Sequence, residues 1–204
     1  MTLPLATSPG LKVGLLGGSF NPAHEGHRLV SLMALRQLQL DQVWWLVSPQ
    51  NPLKSASDMA PLETRMQSAT ACAAHPRIFV TDVETRLGTR FTVDTVKALR
   101  DRYRDVHFVW LMGADNMIQL PHWAKWRELV NTVPMAIYPR PGFTLKARLS
   151  LAATTYRSSW LDPSDAALIP RLAAPALCFL EGPQNPISAT QLREGPQTPS
   201  ITKL

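Results

Sequence analysis

Cysteine is scarce in this 204-residue chain: Cys72 and Cys178 are the only two, each in apolar surroundings. Two such thiols cannot form the dense disulfide framework of a small secreted domain, and no Cys/His spacing suits zinc. Free thiols at core positions are expected. No apolar run approaches the roughly 18 residues of a membrane span. The opening MTLPLATSPG lacks a basic n-region and a long apolar h-region, so no signal peptide is read and a cytoplasmic protein is expected. Internal repeats and low-complexity segments are absent. Acidic side chains are the minority, 15 against 21 Lys and Arg, for a net charge of +6. The basic residues are scattered rather than grouped in a run. That pattern suits anionic small molecules or a plain solvated surface.

Two familiar phosphate-binding patterns are missing as well. There is no G-x-x-x-x-G-K-[ST], which excludes a P-loop, and no G-x-G-x-x-G, which excludes the dinucleotide fingerprint. Proline, by contrast, is abundant, with 18 residues falling mostly between apolar runs, where they punctuate loops.

What is present is an alternation of short apolar runs with longer amphipathic ones. Val13–Leu16, Val43–Val47, Ile78–Val80, Val106–Met112, Met135–Tyr138 and Ala176–Leu180 read as strands. Pro61–Ala74, Thr92–Tyr103 and Trp123–Val130 read as helices, and Leu145–Pro175 as a helix or two at the sheet edge. The alternation predicts an α/β fold with a doubly wound, mostly parallel, Rossmann-like sheet. At 204 residues one domain is expected, over 11–194, with 1–10 as an N-terminal extension and 195–204 as a short tail. In such sheets ligands lie at the carboxyl ends of the strands.

The stretch Lys12–Leu38, KVGLLGGSFNPAHEGHRLVSLMALRQL, organises the chain. It reads as strand, glycine turn, helix. Gly17 and Gly18 are expected to end the strand, and Asn21-Pro22 to turn the chain. His24 and His27 fall three apart at the helix start, so both imidazoles share one helix face. Free backbone N–H groups at that start, beside glycines, suit a polyphosphate. His-Glu-Gly-His is one residue short of the zinc-protease H-E-x-x-H. Read from His-x-x-His alone, an ordinary βα turn with two surface histidines would serve equally well.

Later segments follow the strands. Lys54 lies in SPQNPLKSASD after the second strand, and Thr92 opens a helix within RFTVDT, where a threonine can also serve as a cap. Gly113 and Asp115 (LMGAD) follow the central strand, where an aspartate can equally cap the next helix. Trp123 and Trp126 follow in LPHWAKW, with Trp126 expected in the core. Arg140 sits in the turn YPRPG. Ser188, Thr190 and Arg193 fall in ISATQLR, where Ser188 and Gln191 form an S-x-x-Q capping box.

GGSFNPAHEGH closely resembles the signature of the nucleotidyltransferases that carry [HT]-x-G-H, and within them that of bacterial nicotinate-mononucleotide adenylyltransferases. RFTVDT resembles the family's S-Y-T-x-x-T, GAD its G-x-D, YPRPG its R-P-G turn, and ISATQLR its I-S-[SA]-T-x-x-R. The resemblance implies transfer of the adenylyl group of ATP to nicotinate mononucleotide, with Mg²⁺ accompanying ATP. It implies catalytic roles for His24 and His27. Gly17, Gly18, Ser19, Phe20, Lys54, Ser188, Thr190 and Arg193 would meet ATP and its phosphates. Thr92, Gly113, Asp115, Trp123 and Arg140 would meet the mononucleotide, with Trp123 stacking on the pyridine ring. No protein metal ligand set is implied, and neither nucleic acid nor membrane is an expected partner.

The chain departs from the pattern twice. Leu53 stands where relatives carry histidine in P-P-H-K, and Gly195-Pro196 stops the last helix early. Four alternatives stay in view. Within the same group of enzymes the acceptor could be the amide, nicotinamide mononucleotide, although a carboxylate-accepting helix start near Thr92 favours the acid. A phosphopantetheine adenylyltransferase usually has Thr at the position of His24. A class I aminoacyl-tRNA synthetase needs a longer chain and a K-M-S-K-S motif. A basic nucleic-acid-binding module would show salt-sensitive binding and would leave both phosphate motifs unexplained.

Overall fold

The structure, a computed structural model, describes residues 8–49 and 59–183. Seven strands form one parallel sheet among the described residues: β1 (Lys12–Gly18), β2 (Gln42–Val47), β3 (Ile78–Thr81), β4 (His107–Gly113), β5 (Met135–Tyr138), β6 (Trp160–Leu161) and β7 (Leu177–Phe179). Their order is β3-β2-β1-β4-β5-β7-β6. Chain direction across the sheet therefore reverses between β1 and β4, the switch point where a crevice opens at the strands' carboxyl ends. The expected doubly wound architecture is the one observed.

The helices are α1 (Glu25–Gln37), α2 (Leu62–Ala73), α3 (Val83–Leu87), α4 (Thr92–Arg102), α5 (Ala114–Gln119), α6 (Trp126–Thr132), α7 (Thr144–Arg148) and α8 (Leu151–Thr155), with a 3-10 segment over Pro163–Arg171. Successive residues of each strand point to opposite faces. Trp44 thus joins Leu15, Trp110 and Met112 against α4, α5 and α6, while Trp45 joins Leu16, Val109 and Leu111 against α1 and α2. Both faces are buried, which is why the strands read as unbroken apolar runs rather than as alternation.

Four local readings need correction. The first strand does not stop at Leu16: Gly17 and Gly18 are its last two residues and pair with Leu46 and Val47 of β2, because a parallel ladder needs only their backbones. The turn begins at Ser19. The helix expected from Trp123 starts at Trp126, because Lys125 takes a left-handed conformation (φ 53°) that interrupts any helix there. Thr92 does not cap α4: it is the first helical residue, Phe91 holds the cap position, and no side-chain cap bond forms. Nor does Asp115 cap α5, whose cap position belongs to Gly113. Short elements were not foreseen at α3 and α5, and the stretch 145–175 also contains the two-residue edge strand β6. Trp126 is in the core as expected. Cys72 is half-buried and Cys178 buried; both are free, and burial pushes the Cys178 thiol up to about 11, leaving it an unreactive core group.

Candidate active site

β1 delivers the chain to the switch point and stops at Gly18. Ser19 and Phe20 then fold back under the crevice. Phe20 adopts φ 46°, a conformation costly for a bulky residue. Packing holds it there: its ring stacks on Trp45 at 5.0 Å and lies 4.7 Å from the His27 ring. The Phe20 side chain is 1% exposed, so it supports the loop from beneath rather than meeting solvent.

His24 is the N-cap of α1, and the cap is built from both imidazoles. The Gly26 N–H donates to His24 Nδ1 at 3.1 Å, and the His24 N–H donates to His27 Nδ1 at 3.2 Å. The rings lie 4.0 Å apart, centroid to centroid. Because each Nδ1 accepts a hydrogen bond, the ring proton of each imidazole resides on Nε2. Two N–H donors are therefore fixed side by side. The backbone N–H groups of Gly26 and His27 are already used, the latter on His24 O at 2.9 Å. Two of the backbone donors expected to be free at this start are therefore occupied, which adjusts the sequence expectation. Burial, and secondarily the positive charge of Arg140, lowers the His24 pKa to about 4. His24 is thus neutral at pH 7.

Arg140, after β5, faces this pair across the crevice. Its Nε lies 3.2 Å from Asp115 Oδ1, on the first turn of α5. Asp115 Oδ1 is buried and has no hydrogen-bond partner among the described residues, so its contact with Arg140 is an ion pair rather than an aligned hydrogen bond. Gly113 sits between them. A Cβ at Gly113 would collide with Asp115 Oδ1 and come within 2.9 Å of Arg140 Nε, so only glycine lets the two approach. Trp123 lies against the Trp110 ring edge-on, at 6.2 Å between centroids. Trp110 in turn covers Gly17, where a Cβ would come within 2.5 Å of the ring.

His24, His27, Gly17, Gly18, Ser19, Phe20, Gly113, Asp115 and Arg140 are therefore gathered at the carboxyl edge of β1, β4 and β5, and Trp123 flanks them through Trp110. Thr92 begins a helix, α4, that follows β3 and α3 in the chain. Lys54, Ser188, Thr190 and Arg193, like Leu53, lie outside the described residues. Among the described residues no three His, Cys, Asp or Glu side chains converge in a way that would hold a metal ion.

Two polar residues at this edge were not read from the sequence. Arg65 is 2% exposed on α2, and Glu84 is buried on α3, where desolvation raises its carboxyl pKa against a hydrogen bond from Ser48 that lowers it. Arg65 had a signal. It falls with Leu62, Ala69 and Ala73 on the stripe of α2 that faces the core, where a charged residue is out of place.

Paired imidazole donors at the switch point of a parallel sheet are an arrangement that suits a nucleotidyltransferase. The chain belongs to the cytidylyltransferase-like family, whose model matches residues 15–195. It is 66% identical, over 92% of its length and 93% of the relative's, to a Parvibaculum lavamentivorans protein named "Probable nicotinate-nucleotide adenylyltransferase". A Ruegeria pomeroyi protein of the same name is 50% identical over 91% of this chain and 86% of its own. Within the family, the chain therefore groups with the nicotinate-nucleotide adenylyltransferases. Its fold is similar to that of the Plasmodium falciparum nicotinic acid mononucleotide adenylyltransferase solved in complex with NaAD. There the TM-score is 0.68 at 18% identity, covering 90% of this chain and 83% of that one.

Proposed function

We propose that this protein transfers the adenylyl group of ATP to nicotinate mononucleotide, giving nicotinate adenine dinucleotide and pyrophosphate. The observation that carries the reading is the pair of imidazoles at the start of α1, each presenting Nε2–H because its Nδ1 is occupied. The names and identities of the relatives support the choice of substrates.

In this reaction a 5′-phosphate oxygen of the mononucleotide attacks the α-phosphorus of ATP. A new P–O bond forms, the bond from the α-phosphorus to the bridging oxygen breaks, and pyrophosphate leaves with that electron pair. A phosphate monoester with a second pKa of about 6 is already largely dianionic at pH 7, so no general base is needed. The protein's part is positioning and charge stabilisation. His24 and His27 donate from Nε2 to oxygens on which charge builds. As donors fixed in place by the helix cap, they need no reorganisation.

Mg²⁺ is expected with ATP, held by phosphate oxygens and water, where it neutralises phosphate charge. Lys54, Ser188, Thr190 and Arg193 are assigned to the leaving phosphates by their place in the family motifs. Asp115 is assigned to the mononucleotide's ribose hydroxyls, Arg140 to its phosphate, and Trp123 to stacking on the pyridine ring, with Gly113 and Thr92 completing that half of the site. The unit carrying the activity spans 11–194. Free thiols at Cys72 and Cys178 support a reducing, cytoplasmic setting. No helix among the described residues is long and apolar enough to cross a membrane.

His27→Ala tests the reading. Loss of one preorganised donor lowers kcat by about 10²–10³, with folding retained by circular dichroism. A folded variant with near-normal turnover would remove this role for the pair.

A further inference from the structure

Arg65 projects from the first turn of α2 and is 2% exposed. Among the described residues no carboxylate pairs with it. Its guanidinium instead donates four hydrogen bonds to backbone carbonyls from three separate segments. Nη1 donates to Ser19 O at 2.8 Å and to Ser48 O at 2.7 Å, Nη2 to Pro49 O at 3.1 Å, and Nε to Ala60 O at 2.9 Å. Ser19 belongs to the loop that leads into the His24–His27 cap. Ser48 and Pro49 follow β2, and Ala60 precedes α2.

Neutral carbonyls satisfy the guanidinium's donors but do not cancel its charge. A buried cation without an anionic partner is costly. Here it stands directly behind the Ser19–Phe20 loop, where its charge favours an anion on the far side of that loop. Ser48 is gripped a second time, since its N–H donates to Gly18 O at 3.0 Å. The end of β1 and the end of β2 are thereby locked in one register.

We infer that Arg65 is a positioning residue for adenylyl transfer: it ties the Ser19–Phe20 loop to the ends of β2 and α2 and places a positive charge behind the ATP phosphates. This inference rests on the adenylyl-transfer reading. Lysine keeps the charge but cannot reach four carbonyls in a fixed planar fork. Misplacing reacting groups by about 1 Å can cost roughly 10²-fold.

The test is pyrophosphate release by Arg65→Lys and Arg65→Gln, together with thermal melting and amide hydrogen exchange. In folded Arg65→Lys we expect kcat to fall about 10²-fold and KM for ATP to rise about tenfold. KM for the mononucleotide should stay within about threefold, because the residues assigned to it are anchored on other strands. Amides at 17–20 should exchange faster while those of β4 do not. Wild-type kinetics in Arg65→Lys, equal rises in both KM values, or unchanged exchange at 17–20 would overturn the inference. If neither variant folds, the wild-type protein decides: 17–20, 47–49 and 60–65 opening as one unit supports the strap, and separate opening contradicts it. An inactive wild-type protein would instead overturn the adenylyl-transfer reading, and the exchange experiment would still judge the strap.

Discussion

Arg140 and Asp115 hold each other across the mouth of the crevice, Nε to Oδ1 at 3.2 Å, and Arg140 also lowers the pKa of His24. One arginine thus touches the electrostatics of both halves of the site. Both partners of the pair are about three-quarters buried, with side chains 22% and 27% exposed, so the interaction is less screened than a surface ion pair.

That pairing makes Asp115 an oriented acceptor. Asp115→Asn should raise KM for the mononucleotide by roughly 10–100-fold, the worth of about 1.5–3 kcal/mol for hydrogen bonds to a charged group, with KM for ATP little changed. Steady-state kinetics with each substrate varied in turn checks this; equal rises in both KM values would reassign Asp115.

His24 makes the fold sensitive to acid. Its folded pKa of about 4 lies below the ordinary 6.5, so between these values the unfolded chain binds the proton and the folded one does not. The contribution is fully present above pH 6.5 and is lost as pH falls toward 4, on the order of 3 kcal/mol in total. Denaturant unfolding of wild type and His24→Asn from pH 7.5 to 4 should show the two stabilities converging in acid. Parallel curves would contradict the burial of a neutral imidazole.

Gly17→Ala would drive a methyl group into the buried Trp110 ring, at 2.5 Å in the unrelaxed structure. Overpacking of this kind costs about 1–3 kcal/mol, or roughly 2–12 °C in Tm for a chain of this length. Because Trp110 supports Trp123, affinity for the mononucleotide should fall as well. Calorimetry and binding to the mononucleotide alone check both; an unchanged Tm would mean that the ring moves aside freely.

The sheet was legible because both its faces are buried, so each strand announced itself as an apolar run. The helix boundaries near Trp123 and Thr92 were less legible. They depend on the left-handed Lys125 and on an uncapped start at Phe91, and neither carries a sequence signal. His24 and His27 were legible as a pair, but not their mutual capping, which uses Nδ1 on each ring and so decides which nitrogen faces the ligand. Glu84 stayed hidden because a buried carboxyl reads in sequence as ordinary surface charge. Arg65 was detectable only as a misplaced charge on an apolar stripe; three of its four carbonyl partners come from segments 16 to 46 residues away.

The central claim is adenylyl transfer to the acid mononucleotide. A carboxylate accepts hydrogen bonds from N–H donors where an amide would oppose donor to donor. Charge-assisted bonds are about twice as strong as neutral ones, and an unpaired buried group costs about 1–3 kcal/mol. The most direct measurement is pyrophosphate release from Mg-ATP with nicotinate mononucleotide, nicotinamide mononucleotide and phosphopantetheine in parallel. The account predicts turnover with nicotinate mononucleotide, and a kcat/KM about 10²-fold above that for the amide. No pyrophosphate with nicotinate mononucleotide, or an equal or reversed ratio between acid and amide, would contradict it.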